Sequence, residues 1–282
     1  MQRIAFQGVP GAYSDVAARR FFGPRCTTVP CESFEDVFTT VEKKRASFGV
    51  IPIENSLAGS IHQNYDLLLT HPLHIVGELH LRIEHVLMAH ASASLETIRS
   101  VRSHPQALAQ CSGFFRRHRR VKAVPYFDTA GAAQSIRESE VTDTAAIASA
   151  FAAKMYGLKV LKRNLENRPN NFTRFLVIGR SLCRSRAGTR MKCSIAFTPR
   201  TNQVGILFRV LGVFALRDID LLKIESRPDP RSPFEYLFYL DLEGSPRDEK
   251  VSRALEHIQE MVTQYRLLGA YPRGKGNFYG AG

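Results

Sequence analysis

The feature that most constrains this chain is the alternation, from its start to about Leu165, of short apolar runs with amphipathic helical segments. Arg3–Phe6 and Phe48–Ile53 have the character of strands, whereas the segment Ser33–Lys43 repeats its apolar residues at helical spacing. Strands that alternate with helices build mostly parallel sheets covered by helices. We therefore predict an α/β fold for residues 1–179, with two lobes and a cleft between them.

The pattern changes after residues 180–191, a polar and arginine-rich stretch that we interpret as a linker. From there to residue 273 the order of elements is strand, helix, strand, strand, helix, strand. This is the split βαβ order of ferredoxin-like domains. Residues 192–273 are therefore predicted to form a second domain, whose ligand the fold alone does not identify.

The turn Gly8–Gly11 lies between the first predicted strand and a helix that begins near Ser14. The first backbone N–H groups of a helix are unpaired, so this arrangement favours an anion such as a carboxylate. The glycines do not follow the G-x-G-x-x-G spacing, and no acidic residue follows at the dinucleotide-binding distance. We therefore expect no nicotinamide or ATP site here.

The run Asn171–Phe175 places a hydroxyl and a fixed cation, Thr173 and Arg174, between two phenylalanines. A hydroxyl and a cation beside ring-sized apolar surface suit a small, cyclic, anionic substrate. Successive residues of a strand point to opposite faces of the sheet. The alternative is therefore a buried strand in which Thr173 and Arg174 do not share a site, and we rank Arg174 below Thr173.

Polar residues follow the predicted strand Phe48–Ile53, at Glu54, Asn55 and Ser56. Ligands of open α/β sheets usually bind at the carboxyl ends of the strands. These three residues are therefore site candidates, and the alternative is that they only cap the next helix.

A second candidate group opens the helix that follows Ser103. His104 and Pro105 begin this helix, and Gln106 and Gln110 are four residues apart. Residues with this spacing lie on one face of a helix, so both glutamines can meet a ligand in the cleft.

The charge balance, with 39 basic and 26 acidic residues and a net charge of +13, raises the question of nucleic-acid binding. Part of the excess lies in two clusters, Arg116–Lys122 and Arg180–Lys192. Neither is interleaved with aromatic residues or accompanied by a nucleic-acid-binding motif. We expect no nucleic-acid partner, and attraction of an anionic metabolite is the preferred use of the charge.

Cysteine usage and hydropathy bear on the cellular compartment. The five cysteines form no C-x-x-C pair, which is typical of reduced thiols and provides no metal site. The N-terminus lacks the apolar core of a signal peptide, and no apolar run is long enough to span a bilayer. The expectation is a cytoplasmic protein without a membrane partner.

Five motifs together resemble prephenate dehydratase joined to a C-terminal ACT domain. They are GVPGAYS at Gly8–Ser14, PIENSLAGSI at Pro52–Ile61, SHPQALAQC at Ser103–Cys111, NFTRF at Asn171–Phe175 and KIESRP at Lys223–Pro228. They occur in the family's order and cover essentially the whole chain. The resemblance implies a two-lobed catalytic domain like a periplasmic binding protein, followed by a regulatory ACT domain.

The resemblance also implies an activity, that of a carbon–oxygen lyase without a cofactor. Prephenate would lose its ring hydroxyl and ring carboxylate to give phenylpyruvate, carbon dioxide and water on the route to L-phenylalanine. Thr173 would protonate or hydrogen-bond the departing hydroxyl. The other implied catalytic residues are Asn55, Gln110 and Ser103, and the substrate-binding candidates are Gly11, Ser14, Ser56, Arg174 and Phe175.

For the ACT domain, the resemblance implies L-phenylalanine as a feedback inhibitor bound between paired domains. A glycine at a helix N-terminus suits a carboxylate, and an acidic residue nearby suits an amino group. The implied effector site consists of Asn202, Gly205, Ile206, Leu207, Glu225 and Ser226. Such a site requires at least a homodimer, and a homotetramer is the alternative.

Two other functions remain open. The forms GVPGAYS, SIHQNYDLLL and DTAAIAS look like plant arogenate dehydratases, whose substrate carries an amino group where prephenate has a keto group. We place prephenate first. A non-catalytic binding protein could use the same two-lobed cleft, but it would not need a proton donor such as Thr173.

Overall fold

The computed structural model describes residues 1–139, 141–183, 189–200, 204–228 and 236–274. These residues form two compact units. The first consists of Met1–Asn64 and Leu79–Phe175, and the second of Tyr65–Glu78 together with the described residues from Leu176 onward. Residues 65–78 thus pack with the C-terminal part of the chain, which sequence patterning did not indicate.

The first lobe is built on a sheet in which β1 pairs in parallel with β2 and β3. The strand order is β2-β1-β3-β11-β5, and β4 is paired to β3. The strands are β1 (Arg3–Gln7), β2 (Thr27–Cys31), β3 (Phe48–Asn55), β4 (Gly59–Ser60), β5 (His74–Arg82) and β11 (Phe172–Gly179), and the helices of this lobe are α1 (Tyr13–Phe22) and α2 (Phe34–Glu42). Helix α3 (His62–Thr70) follows β4, and its residues from Tyr65 onward, like the ends of β5 and β11, belong to the second unit.

The second lobe also lies in the first unit and has a five-stranded sheet of order β10-β6-β9-β7-β8. Its strands are β6 (Val86–Ala89), β7 (Ser100–Ser103), β8 (Lys122–Pro125), β9 (Thr144–Ala148) and β10 (Lys159–Lys162). Its helices are α4 (Pro105–Gln110), α5 (Ser112–Arg117), α6 (Thr129–Glu138) and α7 (Ala150–Tyr156). Strand β7 runs parallel to β8 and β9, whereas β6 pairs antiparallel with both β9 and β10. The sheet is therefore mixed, with β6 as the strand that runs opposite to the other four.

Local sequence explains where the helices begin. The Ser33 hydroxyl accepts a hydrogen bond from the Asp36 amide, and the Asp36 carboxylate accepts one from the Ser33 amide, which completes a capping box. Asp128 caps α6 through the Ala130 amide, and Ser149 caps α7. The single helix expected after His104 is divided into α4 and α5 at Cys111.

The second unit contains an antiparallel four-stranded sheet of order β13-β14-β12-β15 with two helices. Its elements are β12 (Met191–Pro199), α8 (Ile206–Ala215), β13 (Leu221–Pro228), β14 (Tyr236–Glu243), α9 (Glu249–Met261) and β15 (Val262–Pro272). Phe197, Phe214 and Ile258 lie in its fully buried core. The order confirms the predicted ferredoxin-like fold, and the two-lobed α/β class of the preceding part is confirmed as well.

Polar contacts explain why residues 65–78 belong to this second unit. The Arg266 guanidinium donates to the backbone carbonyls of Leu69, His71 and Leu73, so it satisfies acceptors at and just beyond the end of α3. Lys192 Nζ lies 2.9 Å from Glu78 Oε2, and both side chains are buried.

We expect Lys192→Met to lower the free energy of unfolding by about 3–5 kcal/mol, because the mutation leaves the buried Glu78 carboxylate without its cation. Arg190→Met is the matched control, since Arg190 is 75% exposed in its ion pair with Glu243, and an exposed pair contributes about 0–1 kcal/mol. Urea unfolding of both variants measures the difference. Equal losses would contradict the assigned role of the buried pair.

Candidate active site

A cavity of about 750 Å³ lies between the two lobes of the first unit. A cavity of this size accommodates a small-molecule ligand. Residues from both lobes line it, and those that the argument uses are Tyr13, Ser14, Asn55, His85, Gln110, Asp128, Thr173 and Phe175.

The described lining of this cavity contains neither lysine nor arginine. It does contain two carboxylates, Glu32 and Asp128. Several helices begin there, since Ser14 lies in the first turn of α1, Ser33 caps α2, His104 caps α4 and Asp128 caps α6. Each helix N-terminus carries roughly half a positive charge. Positive potential in the described lining therefore comes from backbone dipoles, and the two carboxylates oppose it.

Thr173 lies on β11 at the cavity wall, beside Asn55 at the end of β3. Asn55 Nδ2 donates a hydrogen bond to Thr173 Oγ1 at 2.9 Å. The hydroxyl oxygen of Thr173 is thus an acceptor toward Asn55, which leaves the Thr173 hydroxyl proton available to another partner. Both side chains are more than 90% buried, which strengthens such bonds.

The polar network continues from Asn55 into the second lobe. Asn55 Nδ2 also donates to Asn171 Oδ1 at 2.8 Å, and Asn171 Nδ2 donates to Gln110 Oε1 at 3.0 Å. Gln110 Oε1 in turn lies 2.9 Å from His85 Nε2, and His85 Nδ1 lies 2.9 Å from the Tyr13 hydroxyl. Six side chains, including Thr173, therefore form one hydrogen-bonded chain along the cavity.

Burial sets the protonation states of the two titratable members of this chain. It lowers the pKa of the His85 imidazole, against hydrogen bonding to Gln110 and the charge of Glu166, which raise it. It raises the pKa of the Tyr13 hydroxyl well above its ordinary value. At neutral pH His85 is therefore an uncharged imidazole and Tyr13 an uncharged phenol.

Six of the sequence-predicted catalytic-domain residues line the cavity: Asn55, Gln106, Gln110, Thr173, Ser14 and Phe175. Ser56 is outside the cavity lining, where its hydroxyl donates to the Asn170 carbonyl and accepts from the Phe172 amide. It fixes the approach of β3 to β11.

Gly11, Ser103 and Arg174 are also absent from the lining. Gly11 has φ +93°, and an added Cβ would lie 3.2 Å from Ala152, so this glycine permits close packing in a left-handed turn. The Ser103 hydroxyl donates to the Ile147 carbonyl at 2.6 Å in a fully buried position. Arg174 is buried next to Thr173 in β11, where alternation of side chains directs it away from the Thr173 face.

Sequence reasoning missed four polar residues that the fold brings together: Tyr13, His85, Asn171 and Asp128. Tyr13 and Asn171 lie inside motifs that the sequence analysis identified, so the sequence contained a signal for both. His85 follows β5 without a recognisable local pattern, and its partners are 25 and 72 residues away in the sequence.

The predicted effector residues lie in the second unit. Gly205 has φ +74° at the N-cap of α8, followed by Ile206 and Leu207 in the first turn. Glu225 and Ser226 lie on β13, where Glu225 Oε2 is 3.3 Å from Lys223 Nζ. Asn202 lies outside the described residues.

A two-lobed α/β unit with a small-molecule cavity between its lobes, followed in the chain by a ferredoxin-like domain, defines the class of this protein. Residues 4–182 match the prephenate dehydratase family, and residues 200–258 match the ACT domain family. The chain belongs to the prephenate dehydratase family, and it carries an ACT regulatory domain.

Relatives over nearly the whole chain agree with this assignment. An arogenate dehydratase/prephenate dehydratase from Arabidopsis thaliana is 46% identical over 279 residues, covering 96% of this chain and 72% of the relative. Prephenate dehydratase from Arthrobacter aurescens, solved in complex with L-Phe, is 29% identical with a TM-score of 0.87, covering 96% and 90% of the two chains. A solved protein described as a novel type of quorum-quenching acylase is 36% identical with a TM-score of 0.88, covering 96% and 98%.

These relatives correct one expectation. Several Arabidopsis proteins that match this chain are named chloroplastic, so the assignment to the cytoplasm is wrong. That assignment rested on cysteine usage, on the residues at the start of the chain and on hydropathy, none of which decides location. None of the helices in the described part of the chain has the length and apolar character needed to cross a membrane.

Proposed function

We propose that this enzyme of the prephenate/arogenate dehydratase family acts on prephenate. The reaction consumes one proton: the prephenate dianion and a proton give phenylpyruvate, carbon dioxide and water. The ring carboxylate leaves as carbon dioxide, its bonding electrons complete the aromatic ring, and the C–O bond electrons leave with the hydroxyl. Because aromatisation drives the elimination, the protein mainly has to orient the ring and supply a proton.

The direction of the Asn55–Thr173 hydrogen bond carries this proposal. Thr173 Oγ1 accepts from Asn55 Nδ2, so the Thr173 proton can be donated to the departing hydroxyl. Free threonine is a very weak acid. As the proton moves, negative charge develops on Thr173 Oγ1, and the Asn55 amide is already in place to stabilise it. The proton that the overall reaction consumes then enters from solvent and restores the Thr173 hydroxyl.

The described cavity lining has no lysine or arginine to pair with the ring carboxylate, which fits the departure of that group. Strong ground-state stabilisation of that carboxylate would oppose its loss as carbon dioxide. Helix N-termini at α1, α2 and α6 attract the dianion without a close ion pair in the described lining. The exclusion of Arg174 from the lining supports this reading of a weakly held leaving group.

Acyl transfer, suggested by the acylase relative, has less support. Such hydrolysis requires a nucleophile hydrogen-bonded to a general base. His85, the buried histidine of the cavity, directs its ring nitrogens at Tyr13 and Gln110. Thr173 is bonded to an amide donor, an arrangement that favours proton donation over nucleophilic attack.

We expect Thr173→Val to lower kcat for prephenate by about 10²–10⁴-fold, because valine keeps the shape of threonine but has no proton to donate. Thr173→Ser is the matched control and should recover most of the lost rate. Phenylpyruvate formation measures both variants. A wild-type protein that is folded and binds prephenate without turnover would instead indicate a binding protein.

Arogenate is the second candidate substrate. Plant relatives carry that name, and the cavity contains a carboxylate, Asp128, that could face the ammonium group of arogenate. Asp128 Oδ1 accepts from the Ala130 amide at 2.8 Å, so the position of the carboxylate is fixed by its capping role.

If arogenate is a substrate, we expect Asp128→Asn to lower its kcat/KM about tenfold relative to that of prephenate, a loss of about 1.4 kcal/mol of transition-state binding. Asparagine caps helices as well as aspartate does, so the substitution removes charge while keeping α6 capped. Parallel assays with both substrates measure the ratio. An unchanged ratio would exclude Asp128 as the ammonium partner.

For regulation, we infer that L-phenylalanine binds the ACT domain at Gly205, Ile206, Leu207, Glu225 and Ser226, in a homodimer formed by paired ACT domains. The complex of the Arthrobacter relative with L-Phe supports the ligand. Exposed apolar side chains in and beside α8 support the pairing, since Val204, Phe208 and Leu216 are 95%, 81% and 87% exposed.

Phe208→Asp should convert the dimer to a monomer and abolish inhibition by L-phenylalanine, because it places a charge in an apolar interface. Val141→Asp, at a 44% exposed site of the first unit, is the control and should leave the dimer intact. Light scattering after gel filtration measures the mass. A monomeric wild type, or a dimer that survives Phe208→Asp, would contradict the pairing.

A further inference from the structure

The hydrogen-bonded chain along the cavity has a direction that is fixed at one end by the backbone. The amides of Leu57 and Ala58 each donate to Asn55 Oδ1 at 3.0 Å. A backbone N–H group can only donate, so the carboxamide oxygen of Asn55 must face these amides. Its NH₂ group therefore faces Asn171 and Thr173.

The donor and acceptor roles of Asn55 determine those of the next side chains in the network. Because Asn55 donates to Asn171 Oδ1, the NH₂ group of Asn171 must face Gln110. Gln110 receives that bond through Oε1, so its own NH₂ group points away from Asn171. Gln110 lines this cavity and a second one of about 400 Å³ beside Leu57 and Arg168. The described side-chain contacts of Gln110 use only its oxygen, so its NH₂ group can donate to a ligand in the first cavity.

His85 also forms a hydrogen bond with Gln110 Oε1, and this contact determines the tautomer of the His85 ring. His85 Nε2 lies 2.9 Å from Gln110 Oε1, which can only accept, so the proton of the neutral ring is on Nε2. Nδ1 then has a free lone pair directed at the Tyr13 hydroxyl. The opposite tautomer would place two lone pairs against each other in a buried site, which is costly.

The groups packed around His85 are compatible with the Nε2–H tautomer. The Glu166 carboxylate accepts from the His85 backbone amide at 3.0 Å. The Tyr13 hydroxyl lies 2.7 Å from the Glu84 carbonyl and 2.9 Å from His85 Nδ1, and in the Nε2–H tautomer its single proton is donated to Nδ1 instead of the carbonyl. The buried Cys111 thiol has a pKa of about 12, raised by burial, and stays uncharged. Burial likewise keeps the imidazole neutral at pH 7.

We propose that His85 is a positioning residue, whose Nε2–H, together with Asn171 Nδ2, holds the Gln110 oxygen so that the Gln110 NH₂ group donates to an oxygen of the substrate. The role rests on the proposed dehydratase function. His85 neither contacts the substrate nor exchanges a proton in this role. It acts by fixing which end of the Gln110 carboxamide faces the cavity.

Two substitutions at one position separate the ring nitrogens. Asparagine places an amide near the position of Nδ1 and leaves the Nε2 position empty, whereas glutamine reaches the Nε2 position with an NH₂ donor. We expect His85→Asn to lower kcat between tenfold and a hundredfold, as misplacement of a substrate-orienting group does. His85→Gln should recover kcat to within about threefold of the wild type. Equal losses in the two variants would overturn the proposal.

The Gln110→Ala background tests whether His85 acts through Gln110. In that background His85→Asn should change kcat by less than about threefold, since no carboxamide remains to be oriented. A merely structural effect of His85 would persist with the same size and would overturn the proposal. Circular dichroism and the melting temperature establish that each variant is folded.

A measurement on the wild-type protein does not depend on the folding of any variant. With ¹⁵N-labelled histidine, NMR at neutral pH should show the Nε2–H tautomer for His85, and the Nδ1–H tautomer would overturn the proposal. This result is independent of turnover. Absence of activity toward both prephenate and arogenate would therefore count against the proposed function, while the tautomer would still decide the geometry.

Discussion

The site depends on the two hydrogen bonds that the Leu57 and Ala58 amides donate to Asn55 Oδ1. They fix one carboxamide, and the donor and acceptor roles of its neighbours follow because each group has a limited set of protons and lone pairs. Thr173 becomes an acceptor toward the protein and a donor toward the cavity. In the proposed reaction this gives a weak acid a defined direction of proton transfer, with the Asn55 amide already hydrogen-bonded to the oxygen on which charge would develop.

Electrostatics in this chain operate at two ranges. The net charge of +13 attracts anions from a distance, whereas the described cavity lining has no cationic side chain and relies on helix N-termini. This separation would favour the proposed substrate, a dianion that loses one carboxylate as carbon dioxide. Long-range attraction raises the rate of encounter, and the absence of a close ion pair avoids over-stabilising the ground state.

How far the sequence could be interpreted differs from residue to residue. Thr173, Asn55 and Gln110 were found because each lies in a motif at the edge of a predicted element, and all three line the cavity. Ser103 belongs to a similar motif, yet its hydroxyl donates a hydrogen bond to the Ile147 backbone carbonyl and does not line the cavity. Hydroxyl partners of this kind cannot be predicted locally, because Ile147 is 44 residues away. His85 is the opposite case, because no local sequence pattern marks it and the fold nevertheless places it within the hydrogen-bonded network.

The sequence by itself determined the order of the elements, the two α/β lobes and the ferredoxin-like domain, because periodicity, capping residues and turns act within a few residues of one another. Only the tertiary structure decided which side chains meet. It brought Asn55, Gln110, His85 and Thr173 into one network and grouped residues 65–78 with the second unit through contacts such as Arg266 to Leu69. The physical reason is that a hydrogen bond depends on positions to within a few tenths of an ångström, and residues far apart in the chain acquire such positions only when the whole core is packed.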